Sequence, residues 1–344
     1  MAEMNLPPVN FKDNFMKFIR HEKTDFIPPY VGGVAMAGFG ALPGPWIEKG
    51  PLGGGYDGFG VRWITPASGG GAPIPAPNEF VLEDITEWRE VVKFPDVEAF
   101  DWEADAAAAL KDVDRSQMIL DFGCGNGMFE RLAALMGFEE ALCAIATEPE
   151  EVNELLTAIT DYKIKVAEKV AKYYKADTFT NYDDVATERG MFMSPETFRK
   201  LFKPHNKRLC DAVKALGMIP IYHCCGKADD IVEDMIDCGY AAWTSVQPSN
   251  DICGIIEKYG DRFGIMGGYD TSGRPGQAEA SDEEVRAEVR RCLDTYGKYG
   301  RSYCFMGVRL VNSLDPAVLG ATLAPVIEES IGYAMALMAK NAAQ

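Results

Sequence analysis

GMIPIYHCCGKADDIVEDMIDCGYAAWTSV, residues 217–246, is the shortest piece of this chain from which a fold can be read. Met218–Tyr222 is an apolar run of strand length, Ala228–Cys238 reads as a helix, and Ala241–Val246 as a second strand. Two strands joined by a helix of this length form a βαβ unit and lie parallel.

The same alternation continues on both sides. Toward the C-terminus it predicts a helix at Ile252–Tyr259, a strand at Phe263–Met266, a helix at Ser281–Tyr296 opening Ser-Asp-Glu-Glu, a strand at Tyr303–Met306 and a helix from Pro316 to Met338. Toward the N-terminus, Pro195–Leu216 is a helix with Ser194 as its N-cap and Gly217 as its stop. Thr178–Tyr182 is a strand. Leu155, Ile159, Tyr162, Val166, Val170 and Tyr173 recur at steps of three and four and mark one face of a long helix. Met118–Phe122 is a buried strand. Repeated βαβ units favour an α/β (β/α)8 TIM barrel over an open doubly wound sheet, and the expectation is one barrel domain over residues 1–344.

The front of the chain is different. A helix from Phe11 to His21 runs into an apolar stretch, Phe26–Val31. Residues 32–80 are then crowded with glycine and proline, which forbid long helices, and Gly60–Thr65 reads as one arm of a hairpin. A structureless excursion of this length inside a compact domain suggests a lid or a substrate-facing insertion. Its aromatics Phe39, Trp46, Tyr56 and Trp63, with Asn181 at a strand end, are candidates for substrate binding.

Composition removes several classes of function. The net charge of −18 leaves no basic footprint for nucleic acid. No apolar run approaches the roughly 18 residues of a membrane span. The N-terminus lacks a signal peptide's basic and apolar regions, so the expectation is a cytoplasmic protein. Its nine cysteines are then expected as thiols.

In barrels, chemistry sits where strands end. The central strand ends in His223-Cys224-Cys225-Gly226. Residues two apart share a face of an extended chain, so His223 and Cys225 aim at one spot while Cys224 points away. Imidazole nitrogen and thiolate sulfur are zinc ligands, and catalytic zinc keeps three protein ligands and an open position. Cys304, on another strand, is the candidate third ligand. Asp184, Glu188 and Asp270, each at or just beyond a strand end, are candidates for orienting substrate or supplying a proton. A second signal, Leu120-Asp121-Phe122-Gly123-Cys124-Gly125-Asn126-Gly127, resembles the glycine-rich first motif of S-adenosylmethionine-dependent methyltransferases, but Met128 through Lys175 reads as almost continuous helix.

Several stretches in order resemble the uroporphyrinogen decarboxylase superfamily, in its corrinoid-dependent methyltransferase branch. They are Phe15–Pro28, Asp57-Gly58-Phe59-Gly60-Val61-Arg62-Trp63, Asp183-Asp184 followed by Met193-Ser194-Pro195-Glu196, and Tyr222–Gly226 with the distal Cys304. The resemblance implies a (β/α)8 barrel and a zinc ion held by His223, Cys225 and Cys304. It implies an enzyme like methyltransferase I of aryl methyl ether O-demethylase systems. Such an enzyme moves a methyl group from a small methoxylated aromatic to the cob(I)alamin of a separate corrinoid protein. An Asp-x-His-x-x-Gly corrinoid motif is absent here, consistent with a partner carrying the corrinoid. The alternatives are a methylcobamide:thiol methyltransferase, a decarboxylase and an S-adenosylmethionine enzyme. Decarboxylases of the family carry arginines near the first strand for the tetrapyrrole's carboxylates; Gly32–Gly38 has none.

Overall fold

Apolar residues in short runs bounded by glycine, separated by amphipathic helices, leave the chain one economical way to bury them: a parallel sheet inside a layer of helices. The computed structural model describes residues 9–38, 48, 50–51, 53–66, 73–311, 313 and 315–342. Seven strands form one parallel sheet in chain order: β1 (Val34–Ala37), β2 (Ile119–Cys124), β3 (Thr178–Tyr182), β4 (Ile219–His223), β5 (Ala242–Val246), β6 (Gly264–Gly268) and β7 (Tyr303–Met306).

The helices that matter for the site are α1 (Phe11–Ile19), α2 (Met128–Met136), α3 (Phe138–Thr147), α4 (Pro149–Lys169), α5 (Lys203–Ala215), α6 (Val232–Cys238), α7 (Ile252–Tyr259), α8 (Asp282–Tyr296) and α9 (Pro316–Ala342). Among the described residues no helix is long and apolar enough to cross a membrane. The long helix expected from the period of three and four is α4, which buries Leu155, Ile159, Tyr162 and Val166. Each such side chain contributes about 1.5–3 kcal/mol by leaving water. Helix α8 starts with the capping box that Ser281 and Glu284 spell.

The sheet is curled. Val34 on β1 and Cys304 on β7, its two edge strands, belong to one apolar cluster with Ile119, Ile221, Ala242 and Met266. Phe15, Phe18 and Ile19 of α1 close the cluster from one end. Where eight strands were expected, the sheet has seven among the described residues. Phe26–Val31 supplies only one parallel bridge, Pro29 to Phe305, at the β7 edge. Phe305 donates its N–H to the Pro28 carbonyl at 2.8 Å, and Tyr30 donates back to Phe305 at 2.8 Å. Pro28 and Pro29 have no amide hydrogen to give, so a full ladder cannot form there. The first full strand, β1, lies just beyond, in a glycine-rich stretch that gave no strand signal.

Of the excursion, Gly55–Tyr56, Arg62–Ile64 and Ile74–Pro75 form a three-stranded antiparallel sheet. The Gly60–Thr65 arm is thus a strand in a small sheet of its own.

Candidate metal centre at the strand ends

Register places two of the candidate ligands, His223 and Cys304, on one tier. Tyr182, His223 and Thr244 are paired neighbours, and the row continues through Met266 to Cys304. Ile221, two residues before His223, lies in the interior cluster, so His223 continues the inward face. Cys224 alternates outward into the layer between sheet and helices, and Cys225 returns.

The inward face changes character along the strands. Above the apolar floor comes a buried polar tier on Asp121 of β2. Its carboxylate accepts from Tyr30 at 2.6 Å, Thr178 at 2.6 Å and Thr180 at 2.8 Å. Burial raises its pKa, an effect those donors partly offset. Above it, the Tyr182 ring stacks on His223, with centroids 4.1 Å apart and planes at 26°. Burial and the Asp121 charge push the Tyr182 hydroxyl pKa up, so it stays protonated.

Beyond β3 the chain reads Asp183-Asp184, and alternation splits the pair. Asp183 is fully buried and accepts the Glu130 N–H at 3.0 Å, capping the start of α2. Burial raises its pKa to about 6. Asp184 turns the other way and accepts the Cys225 N–H at 2.6 Å. Among the described residues, Asp184, His223 and Cys225 form the group whose ligand atoms all lie within 4.8 Å of one another, and all three are half-buried.

The residues present fit a zinc ion. Zn–N of about 2.0–2.1 Å and Zn–S of about 2.3 Å at a tetrahedral angle set nitrogen and sulfur about 3.6 Å apart. His223 Nε2 and Cys225 Sγ are 3.7 Å apart. The Ser245 hydroxyl lies 3.3 Å from the Cys225 sulfur. A register shift in β5 puts it there, with Ser245 at φ +66°. Gly226 follows with φ +86°, its N–H donating to Gln247 at 3.2 Å. A Cβ on Gly226 would stand 2.7 Å from the carbonyl oxygens of Ala186 and Thr187, so this turn requires glycine.

The expected third ligand, Cys304, is not in the 4.8 Å group. It is fully buried on the His223 tier, and burial raises its thiol pKa well above the usual range. Asp184, expected to orient the substrate or supply a proton, lies in that group. Glu188 is exposed in the turn of a small hairpin, Ala186–Thr187 with Gly190–Met191. Asp270 accepts the Gly273 N–H at 2.8 Å and holds its own loop. Asn181 faces the helices, near Asn206 and Tyr240, because Thr180 and Tyr182 take the inward positions. Trp63 is buried and donates to Asp57, and Tyr56 is exposed. Phe39 and Trp46 lie outside the described residues.

The glycine-rich loop after β2 holds a second buried polar cluster that sequence reasoning missed. Lys163 of α4 donates to Glu48 at 2.7 Å and to the Gly125 carbonyl at 3.1 Å, with the Cys124 sulfur 3.4 Å away. Arg131 of α2 pairs with Asp57 at 2.7 Å and also donates to the Glu48 carbonyl. Burial, with the Glu48 charge, pushes the Cys124 thiol up to about 12, so it is not a nucleophile. A lysine in the middle of the apolar face of α4 was the signal that could have revealed it.

The uroporphyrinogen decarboxylase (URO-D) family matches residues 57–312. The chain belongs to this family. That span takes in the Asp57–Trp63 loop and all three residues of the 4.8 Å group. One curated relative, uroporphyrinogen decarboxylase of Methylococcus capsulatus, is 27% identical over 205 residues, 57% of this chain and 54% of the relative. Methylcobamide:CoM methyltransferase MtaA of Methanosarcina barkeri is 29% identical over 92 residues, 27% of this chain and 26% of that protein. The chain thus spans about half the length of the first in the match and about a quarter of the second. Among solved structures, a methyltransferase from Methanosarcina mazei superposes with a TM-score of 0.62, covering 95% of this chain and 100% of that one, at 15% identity. That likeness speaks to the fold.

Proposed function

We propose that this URO-D family chain is a zinc-dependent methyltransferase, a (β/α)8 barrel of the corrinoid-linked branch, that moves a methyl group from a methoxylated aromatic to the cob(I)alamin of a separate corrinoid protein. The observation that carries the reading is the nitrogen, sulfur and oxygen donor set of His223, Cys225 and Asp184, half-buried at the strand ends. A zinc ion bound there supplies Lewis acidity, which stabilises negative charge on the substrate atom that gives up or receives the methyl group.

The chain's own residues prepare the place. The Tyr182 ring fixes the plane of the His223 imidazole. The Cys225 amide holds the Asp184 carboxylate, and the Ser245 hydroxyl meets the Cys225 sulfur. The Asp121 tier seals the site from below with its polar atoms satisfied. The missing arginines at Gly32–Gly38 argue against binding a substrate with several carboxylates. Nine free cysteines suit a reducing cytoplasm. The match to a methylcobamide:CoM methyltransferase favours a second reading, in which a thiol takes the methyl group from methylcobalt.

Anaerobic incubation with 2-methoxyphenol and a reduced corrinoid protein tests the first reading. Catechol release with the methylcobalamin spectrum is the expected result. Methylation of a thiol from methylcobalamin, with no catechol released, would replace it with the second reading. Neither product would overturn both.

A further inference from the structure

Asp184 faces two ways: it belongs to the metal group, and it lines a cleft of about 640 Å³. The walls of this cleft are Trp63, Ile74–Asn78 and Phe80 of the excursion, Phe129 of α2, Phe138 at the start of α3, and Phe192. Trp63 was a substrate-binding candidate from the sequence; the phenylalanines of the wall were not. Three of the seven large hydrophobic residues left exposed among the described residues, Ile74, Phe80 and Phe138, line it, so solvent-facing apolar surface is concentrated here. Its volume and its apolar walls with few polar groups are those of a small-ligand pocket.

The rings in the wall are set edge to face. Phe138 and Phe192 have centroids 4.8 Å apart at 87°, and Phe129 and Phe138 are 5.9 Å apart at 89°. A wall of ring faces and edges favours a further aromatic ring over an aliphatic chain of equal area. The charges are one-sided. Glu130, Glu139 and Asp184 line the cleft, and among the described residues no lysine or arginine does. A carboxylate or sulfonate on the ligand would meet like charge and no partner.

We propose that this cleft binds the aromatic body of the methyl donor, that it selects an uncharged ring over a carboxylated one, and that Phe138 and Phe192 are specificity-determining residues. The inference rests on the proposed function in two respects, that the ring belongs to the methyl donor and that its oxygens point to Asp184. The ring-binding part stands without either.

The test is equilibrium binding by calorimetry on the full chain, with 2-methoxyphenol and with 4-hydroxy-3-methoxybenzoate at pH 7. The expected result is binding of 2-methoxyphenol and at least about tenfold weaker binding of the benzoate. Phe138→Asp, at an exposed position, should weaken 2-methoxyphenol binding by about tenfold or more with zinc content unchanged. Phe192→Ala should weaken it in the same direction. Glu139→Lys should narrow the gap between the two ligands. Equal or tighter binding of the benzoate to the unaltered chain, or indifference of 2-methoxyphenol binding to both phenylalanine changes, would overturn the proposal. The two failures are separable. Cys225→Ser is expected to lose zinc and turnover but keep 2-methoxyphenol binding. Ring binding without any methyl transfer would sink the proposed function alone. Methyl transfer with a KM unmoved by Phe138→Asp and Phe192→Ala would sink this inference alone.

Discussion

Gly226 shows what a single residue must do for the site. With φ at +86° and two carbonyl oxygens 2.7 Å from where a Cβ would stand, it lets the chain turn immediately after Cys225. Gly226→Ala should therefore cost about 1–3 kcal/mol of stability, the usual range for a strained backbone position. It should also lower zinc occupancy, and thermal melts with metal analysis would read both. The pair His223 and Cys225 was legible in the sequence, because alternation along a strand is a strict geometric rule. Asp184 as a partner of theirs was not. Its place depends on how the chain leaves β3, with Asp183 taken up by the α2 N-terminus, and no local pattern encodes that.

At the scale of elements, the excursion is fastened down by buried charges rather than by a core of its own. Asp57 accepts the N–H groups of Phe59 and Val61, the Trp63 indole and the Arg131 guanidinium. Arg131 also lies over the Phe59 ring at 4.0 Å. Removing one partner of a buried pair leaves the other charge uncompensated, so Arg131→Met should destabilise the chain by about 3–5 kcal/mol. Adding Asp57→Asn should restore part of that, which chemical denaturation of both variants would show. Most helices and strands from residue 118 onward were readable because hydrophobic period and glycine stops agree there, as for Ile252–Tyr259 and Tyr303–Met306. The front was not, because the proline pair broke the first strand and glycine hid β1. The Asp57–Trp63 motif was visible, but its partner Arg131 comes from a helix far along the chain.

Over the whole molecule, the curled sheet creates one interior graded from an apolar floor at α1 to a polar mouth at His223 and Cys225. The helix layer outside it carries a pH dependence of its own. His205 of α5 lies 3.0 Å from the Asn153 side chain of α4, and burial pushes its pKa down from 6.5 to about 4. Between those values the unfolded chain holds a proton there and the folded chain does not, so stability falls as pH drops from 6.5 toward 4. His205→Gln should flatten that limb by up to one proton per chain, measured as denaturation midpoints across the pH series. The proposed chemistry depends on a metal at the mouth, and the decisive experiment is zinc content per chain in the unaltered protein and in folded Cys225→Ser, Asp184→Ala and Cys304→Ser. About one zinc is expected in the unaltered protein, with loss in Cys225→Ser, reduced occupancy in Asp184→Ala, and a smaller effect in Cys304→Ser. Absence of zinc from the unaltered protein, or zinc unaffected by Cys225→Ser, would contradict the assignment.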